Sequence, residues 1–213
     1  MNLTLHFLRH GQTAQSRGDT FCGSGLDPEL TPDGLEMAEA FASAYSSTTW
    51  QAIYASALGR AINTARPICE AVQKPMLIRA ELNEIAYGQW EGLTKDYVQK
   101  TFSEDYENWQ DDPVGHTPTG GESAITVAER SLKVIDEVRN NCRNGNVLLV
   151  SHKATIRIIL CQLLGIDLVG FRYRLDCPVG SASVVEFGPH GPLLKAFANR
   201  SHLGDRLRNL PGT

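Results

Sequence analysis

The chain has 213 residues, 42% of them hydrophobic and 21% charged, so one large α/β domain with a buried core is within reach and wholesale disorder is excluded. The formal net charge is -4 with no lysine- or arginine-rich block, which argues against nucleic acid or an anionic membrane as the partner. No apolar run approaches membrane-spanning length, no charged-then-apolar leader pattern opens the chain, and five scattered cysteines (Cys22, Cys69, Cys142, Cys161, Cys177) contain no C-x-x-C pair; the expectation is a cytoplasmic protein with reduced thiols.

Leu3-Thr4-Leu5-His6-Phe7-Leu8 reads as a strand headed for the core, and it delivers Arg9-His10-Gly11 at its C-terminal end. Thr31 is expected to cap a helix with Pro32 at its first position, presenting Met37, Phe41, Ala44 and Tyr45 on one face. Gln51–Ala55 reads as a second strand, Ser56 as the opening of a helix from about Leu58 to Val72, and Met76–Ile78 as a short third strand. Between Tyr87 and Gly121 the pattern degrades into aromatic, acidic and Gly/Pro-rich sequence, expected to form short helices and loops as a lid or substrate-facing insertion.

Order returns at Ser123 with a long helix presenting Val127, Val134, Ile135 and Val138. Asn146–Val150 is the strongest strand and ends in Ser151-His152; a helix then turns Ile156, Ile159, Leu160 and Leu163 inward until Gly165. Ala182–Phe187 and Leu193–Phe197 form a terminal hairpin around Gly188-Pro189-His190-Gly191. Strands alternating with helices predict a single three-layer α/β/α domain over residues 1–213. Its central sheet should be mostly parallel with an antiparallel edge, and helices should cover both faces.

Open α/β sheets bind ligands beyond the carboxyl ends of their strands. Arg9 and His10, Arg60, Glu84 and His152 all fall at such ends. Taken singly, a strand-end histidine is more often a hydrogen-bonded structural residue and a helical arginine a solvated charge. Two arginines, two histidines and one carboxylate at the same edge are better explained by a phosphate site, because guanidinium forks suit phosphate. Gly11 is expected to let the backbone turn sharply and approach a bound ligand.

Leu8-Arg9-His10-Gly11-Gln12-Thr13 resembles the signature of the histidine phosphatase superfamily, also called phosphoglycerate mutase-like. The likeness continues through Leu30-Thr31-Pro32-Asp33-Gly34, Ser56-Ala57-Leu58-Gly59-Arg60-Ala61 with Thr64-Ala65, and Leu82-Asn83-Glu84 with Gly88-Gln89-Trp90-Glu91-Gly92. Gly120-Gly121-Glu122-Ser123 and Val150-Ser151-His152 complete it, so that it covers roughly residues 3 to 200.

The resemblance implies that His10 attacks phosphorus and becomes a phosphohistidine. It makes Arg9, Arg60 and His152 the holders of the phosphoryl oxygens, and Glu84 the acid for the leaving alcohol and then the base for water. Neutral imidazole is nucleophilic near pH 7, dispersed phosphoryl charge needs fixed cations, and a poor alkoxide leaving group needs an acid taken partly out of water. Glu91 and Glu122 are the next carboxylates in line for that role. Gln12, Thr13, Cys22 and Gly23 are expected to contact substrate. No metal and no cofactor is called for, and the partner is a small phosphorylated metabolite, with a homodimer allowed for.

Lys153 stands where many family members have glycine, so its ammonium either runs into solvent or reaches the pocket rim to meet a second anionic group. The reaction implied is metal-independent phosphomonoester hydrolysis. The alternative is a cofactor-dependent phosphoglycerate mutase. Mutases of that type carry a longer insertion with an R-H-Y-G run, where this chain reads Ile85-Ala86-Tyr87-Gly88-Gln89-Trp90-Glu91-Gly92. A catalytically silent binding module on the same fold would be expected to lack one of the five central residues, and all five are present.

Overall fold

A computed structural model describes residues 2–212. In chain order the elements are β1 (Leu3–Arg9), α1 (Ala14–Arg17), α2 (Pro32–Tyr45), β2 (Trp50–Ala55), α3 (Gly59–Val72) and β3 (Met76–Ile78), then α4 (Lys95–Thr101), α5 (Ser103–Asp111) and α6 (Ala124–Asn141). There follow β4 (Gly145–Ser151), α7 (Lys153–Leu164), α8 (Phe171–Arg174), β5 (Ala182–Gly188), β6 (Gly191–Asn199) and α9 (Asp205–Arg208). The six strands form one sheet in the order β3-β2-β4-β1-β5-β6, parallel from β3 to β1 and antiparallel from β1 through β5 to β6. The predicted α/β class, mostly parallel sheet and antiparallel edge are all present.

Alternation along the strands builds the three layers. Leu5, Phe7, Val147 and Leu149 face a core shared with α6 and α7, whereas Leu8, Leu148 and Val150 face the other way onto Phe41, Ala61, Ala65 and Ile68 of α2 and α3. On α2 the buried face is Met37, Ala38, Phe41 and Ala42. Ala44, expected on that face, is exposed, because at 3.6 residues per turn it falls at the margin of the stripe that Ala38, Phe41 and Ala42 set. Thr31 caps α2 through its hydroxyl, which accepts from the Gly34 amide at 3.0 Å, and Gly165 ends α7 in the left-handed region at φ 67°. The last strand is longer than expected, starting directly after the two-residue turn Pro189-His190.

Ser56 does not open α3. The first turn of that helix is capped from a distance: the Asp27 carboxylate accepts the Gly59 amide at 2.6 Å and the Arg60 amide at 3.3 Å. The segment 87–121 holds its own small core, in which Trp90, Val98, Tyr106 and Trp109 pack with Phe21, Tyr87, Leu93 and Phe102. Gly88, at φ 55°, lets this segment cross residues 119–121, since a Cβ there would lie 2.2 Å from the Thr119 carbonyl.

Candidate active site

The register of β1 against β4 pairs Arg9 with Ser151, and so sets His10 beside His152. The ladder continues past both strands: the His10 amide donates to the Ser151 carbonyl at 3.0 Å, and the Ser56 amide to the Val150 carbonyl at 3.0 Å. The two imidazoles lie 5.1 Å apart between centroids.

His10 is 5% exposed, and its Nδ1 lies 2.8 Å from the Gly11 carbonyl oxygen. A carbonyl only accepts, so Nδ1 carries the proton and Nε2 keeps its lone pair. Burial, then the charges of Arg60 and Arg9, hold His10 well below the usual histidine range. The side chain is therefore a neutral imidazole with one aimed, basic nitrogen.

His152 is fully buried, with Nε2 2.6 Å from Ser56 Oγ. That oxygen also accepts from the Leu58 amide at 3.3 Å. The buried Ser56 proton needs an acceptor, and Nε2 supplies it; this puts the His152 proton on Nδ1. No protein acceptor meets that Nδ1 among the described residues. Burial and the Arg60 charge lead the causes that push His152 down as well.

Arg60, 1% exposed, donates to the Leu26 carbonyl at 2.6 Å and the Gly23 carbonyl at 3.0 Å and pairs with Asp27 at 3.3 Å. Arg9 donates to the Cys177 carbonyl at 2.7 Å, and burial pushes it down to about 10. Both guanidiniums are thus held by main chain, which fixes their position before any ligand arrives.

Glu84 is 5% exposed, and its burial matches the sequence expectation. Its Oε1 accepts from the Ile85 amide at 3.0 Å and the Thr155 amide at 3.1 Å, while Oε2 accepts only the Ala154 amide at 3.1 Å; the Thr155 hydroxyl, also near Oε1, donates to the Asn83 carbonyl at 2.8 Å. The carboxylate therefore sits on the first turn of α7, against orphan amides and the positive end of the helix dipole. Oε2, engaged once, is the oxygen with a lone pair left for a proton.

Arg9, His10, Arg60 and Glu84 line a cleft of about 390 Å³, together with Thr13, Cys22 and Lys153 from the predicted set. Burial pushes the Cys22 thiol up to about 11, so it presents a neutral wall. Thr13 caps α1 by accepting the Ser16 amide at 3.2 Å.

Sequence alone thus indicates a phosphate-handling edge, and comparison with known proteins identifies the family. The profile of the histidine phosphatase superfamily (branch 1) matches residues 5–200. The chain belongs to this superfamily. Among its relatives, phosphoserine phosphatase 1 of Hydrogenobacter thermophilus is 30% identical over 94% of each chain. Adenosylcobalamin/alpha-ribazole phosphatase of Escherichia coli is 28% identical over 93% of this chain and 97% of the relative. Glucosyl-3-phosphoglycerate phosphatase of Mycolicibacterium vanbaalenii is 32% identical over 87% and 84%. Among solved structures, a mycobacterial glucosyl-3-phosphoglycerate phosphatase in complex with VO3 superposes with a TM-score of 0.84 at 27% identity, covering 92% of this chain and 99% of the other.

In this histidine phosphatase four motif residues do not line the cleft, and His152, fully buried beside the His10 ring, is one of them. Gln12 is fully buried; its Nε2 donates to the Pro211 carbonyl at 2.6 Å and its Oε1 accepts the Thr31 hydroxyl at 3.0 Å, which ties the loop after the nucleophile to the C-terminal segment. The Gly23 amide donates to Glu91 at 3.2 Å, so that it supports the Arg60 loop. Gly11 makes a close approach to α2, since a Cβ would lie 2.3 Å from the Gly34 carbonyl oxygen, and it does not line the cleft. The fallback acids are also spent elsewhere. Glu91 accepts the Gly23, Gly25 and Tyr87 amides, and Glu122 accepts the Ala86 amide and a two-pronged contact from Arg130.

The cleft holds residues that sequence reasoning missed. Phe21, Tyr87 and Trp109 form an aromatic wall, and Lys95, Arg157 and Arg172 add positive charge. Arg172 stacks 3.5 Å over the Trp109 ring. Arg157 was findable, because it follows Lys153 by four positions on one helix face.

Proposed function

We propose that this histidine phosphatase releases phosphate from a small phosphorylated metabolite in two steps on His10. The free Nε2 of His10, fixed by the Nδ1–H donated to Gly11, carries this reading. In the first step Nε2 forms a bond to phosphorus as the bond from phosphorus to the leaving oxygen breaks, and Glu84 passes a proton from Oε2 to that oxygen. In the second step the Glu84 carboxylate takes a proton from water, the water oxygen bonds to phosphorus, and the N–P bond breaks to return neutral His10 and inorganic phosphate. Arg9, Arg60 and the His152 Nδ1–H meet the equatorial oxygens as charge spreads over them.

The family and the phosphatases named among its relatives support hydrolysis over isomerisation. Those relatives are named for three different phosphomonoesters, so the substrate has to come from the cleft itself. The test is a phosphate-release screen over a metabolite panel, with 3- to 2-phosphoglycerate conversion followed in parallel and label trapped on His10 by rapid quench. Phosphate release without any bisphosphorylated primer, abolished together with the trapped label in His10→Ala, is expected. Isomerisation outpacing release would instead establish the mutase.

A further inference from the structure

Lys153 and Arg157 open α7 four residues apart, and both line the cleft beside the phosphoryl cradle. That spacing puts them on one face, roughly 6 Å apart along the helix axis. Among the described residues Lys153 makes no hydrogen bond or ion pair, although it is half-buried. The nearest carboxylate to Arg157 is Asp176, 3.6 Å away with a side chain 75% exposed, and the buried Arg157 Nε meets no acceptor among the described residues. Elsewhere in the fold partly buried arginines are matched closely: Arg79 takes both oxygens of Glu137 and Arg130 both oxygens of Glu122.

This arrangement is costly in the free protein. An ammonium is withdrawn from water at the positive end of a helix, with two guanidiniums near it. Burial, then Arg9 and Arg157, push Lys153 down to about 8, with Cys177 and Asp176 opposing weakly. Arg9 and Arg60 are assigned to the transferred phosphoryl group. Arg172 is committed to the Trp109 face. The charge on Lys153 is left without an ion-pair partner, and that on Arg157 has only the solvent-exposed Asp176.

We propose that Lys153 and Arg157 form a second anion subsite, so that the substrate carries a carboxylate or a second phosphate on its leaving-group side. Lys153 acts there as a point charge and Arg157 as a fork. The inference rests on the phosphomonoesterase reading of the cleft, and it restricts that reading to doubly anionic metabolites.

The test uses substrate pairs that differ in the second anion. 3-Phosphoglycerate against glycerol 3-phosphate isolates a carboxylate, and fructose 1,6-bisphosphate against fructose 6-phosphate isolates a phosphate. The wild-type enzyme should favour the doubly anionic member of one pair in kcat/KM. That ratio should fall by a factor of about 2–5 in Lys153→Met, the range for a partly exposed charge pair, fall likewise in Arg157→Gln, and recover in Lys153→Arg. Using the ratio cancels any general damage from the substitution. A wild-type ratio near one in both pairs, or a ratio unchanged by the charge removals, overturns the subsite while phosphate release from p-nitrophenyl phosphate still upholds the phosphatase. Absence of release from every substrate overturns both.

Discussion

Replacing Glu84 by glutamine separates chemistry from architecture at one position. The carboxylate accepts three backbone amides, two on Oε1 and one on Oε2. A glutamine can turn its oxygen to the two amides on the Oε1 side, but its NH₂ then faces the Ala154 amide, donor against donor. One buried N–H is left without an acceptor, which costs about 1–3 kcal/mol. The urea midpoint should therefore drop in Glu84→Gln, with the m-value unchanged if the fold persists.

The catalytic loss is separate and larger. Removing a positioned acid costs about 10²–10⁴ in rate, or roughly 3–5 kcal/mol of transition-state stabilisation. For an alkyl phosphate that full loss should appear in the step that phosphorylates His10. For p-nitrophenyl phosphate, whose leaving group needs little protonation, the loss in the same step should nearly vanish, while water attack on the phosphohistidine stays impaired. Rapid-quench measurement of both steps with both substrates is the assay. An equal loss in His10 phosphorylation for the two substrates would refute the assignment. Since Glu91 and Glu122 are engaged elsewhere, Asp19 would be the cleft carboxylate to try next.

The depressed pKa of His10 keeps it neutral in the free enzyme as pH falls through 6.5, so nitrogen-15 NMR at pH 6 should find a single Nδ1–H tautomer; an imidazolium signal at that pH would contradict the reading. Ser56→Ala leaves the buried His152 Nε2 without its donor, which should cost about 1–3 kcal/mol of stability and lower kcat by letting the His152 tautomers mix; an unchanged tautomer and kcat would remove Ser56 as a positioning residue. Lys153, facing Arg9, Arg157, Cys177 and Asp176, loses its proton as pH rises through about 8, so kcat/KM for the favoured doubly anionic substrate should decline there more than for its singly anionic partner, and equal declines would refute this. The same lowered value means that the unfolded chain holds more protons between about 8 and 10.5, so the Lys153 contribution makes stability rise with pH across that window.

The elements and strand-end residues were legible because they rest on local rules. Alternation marked the strands, Thr31 and Ser123 marked helix starts with side chains that do accept first-turn amides, and each strand's end named its candidate. The misreadings of Gln12 and of the α3 start share a cause: each residue's partner is remote in sequence. Gln12 is spent on Pro211, 199 residues away; Asp27 caps a helix 32 residues on; Ser56 serves His152, 96 residues later. No periodicity reports such pairings. The aromatic wall was hidden differently, since Trp109 and Tyr87 lie in a segment whose small core has no long helix to set a stripe.

What the sequence could not convey is how the charges settle before substrate arrives. Arg9 and Arg60 lie close enough to both imidazoles to help hold them neutral, and both guanidiniums are pinned by carbonyls. In the proposed mechanism, the cations that meet the phosphoryl oxygens thereby also prepare the nucleophile, by disfavouring the protonated imidazole that could not attack. Once a phosphoryl group is on Nε2, its negative charge offsets that repulsion and draws the His152 Nδ1–H toward it, so the cradle binds the intermediate more strongly than it would an imidazolium. One set of electrostatic contacts thus opposes the inactive protonation state of the free enzyme and favours the covalent state. On that reading two histidines and two arginines have to converge, Arg9, His10 and His152 from the ends of the paired strands β1 and β4 and Arg60 from the first turn of α3.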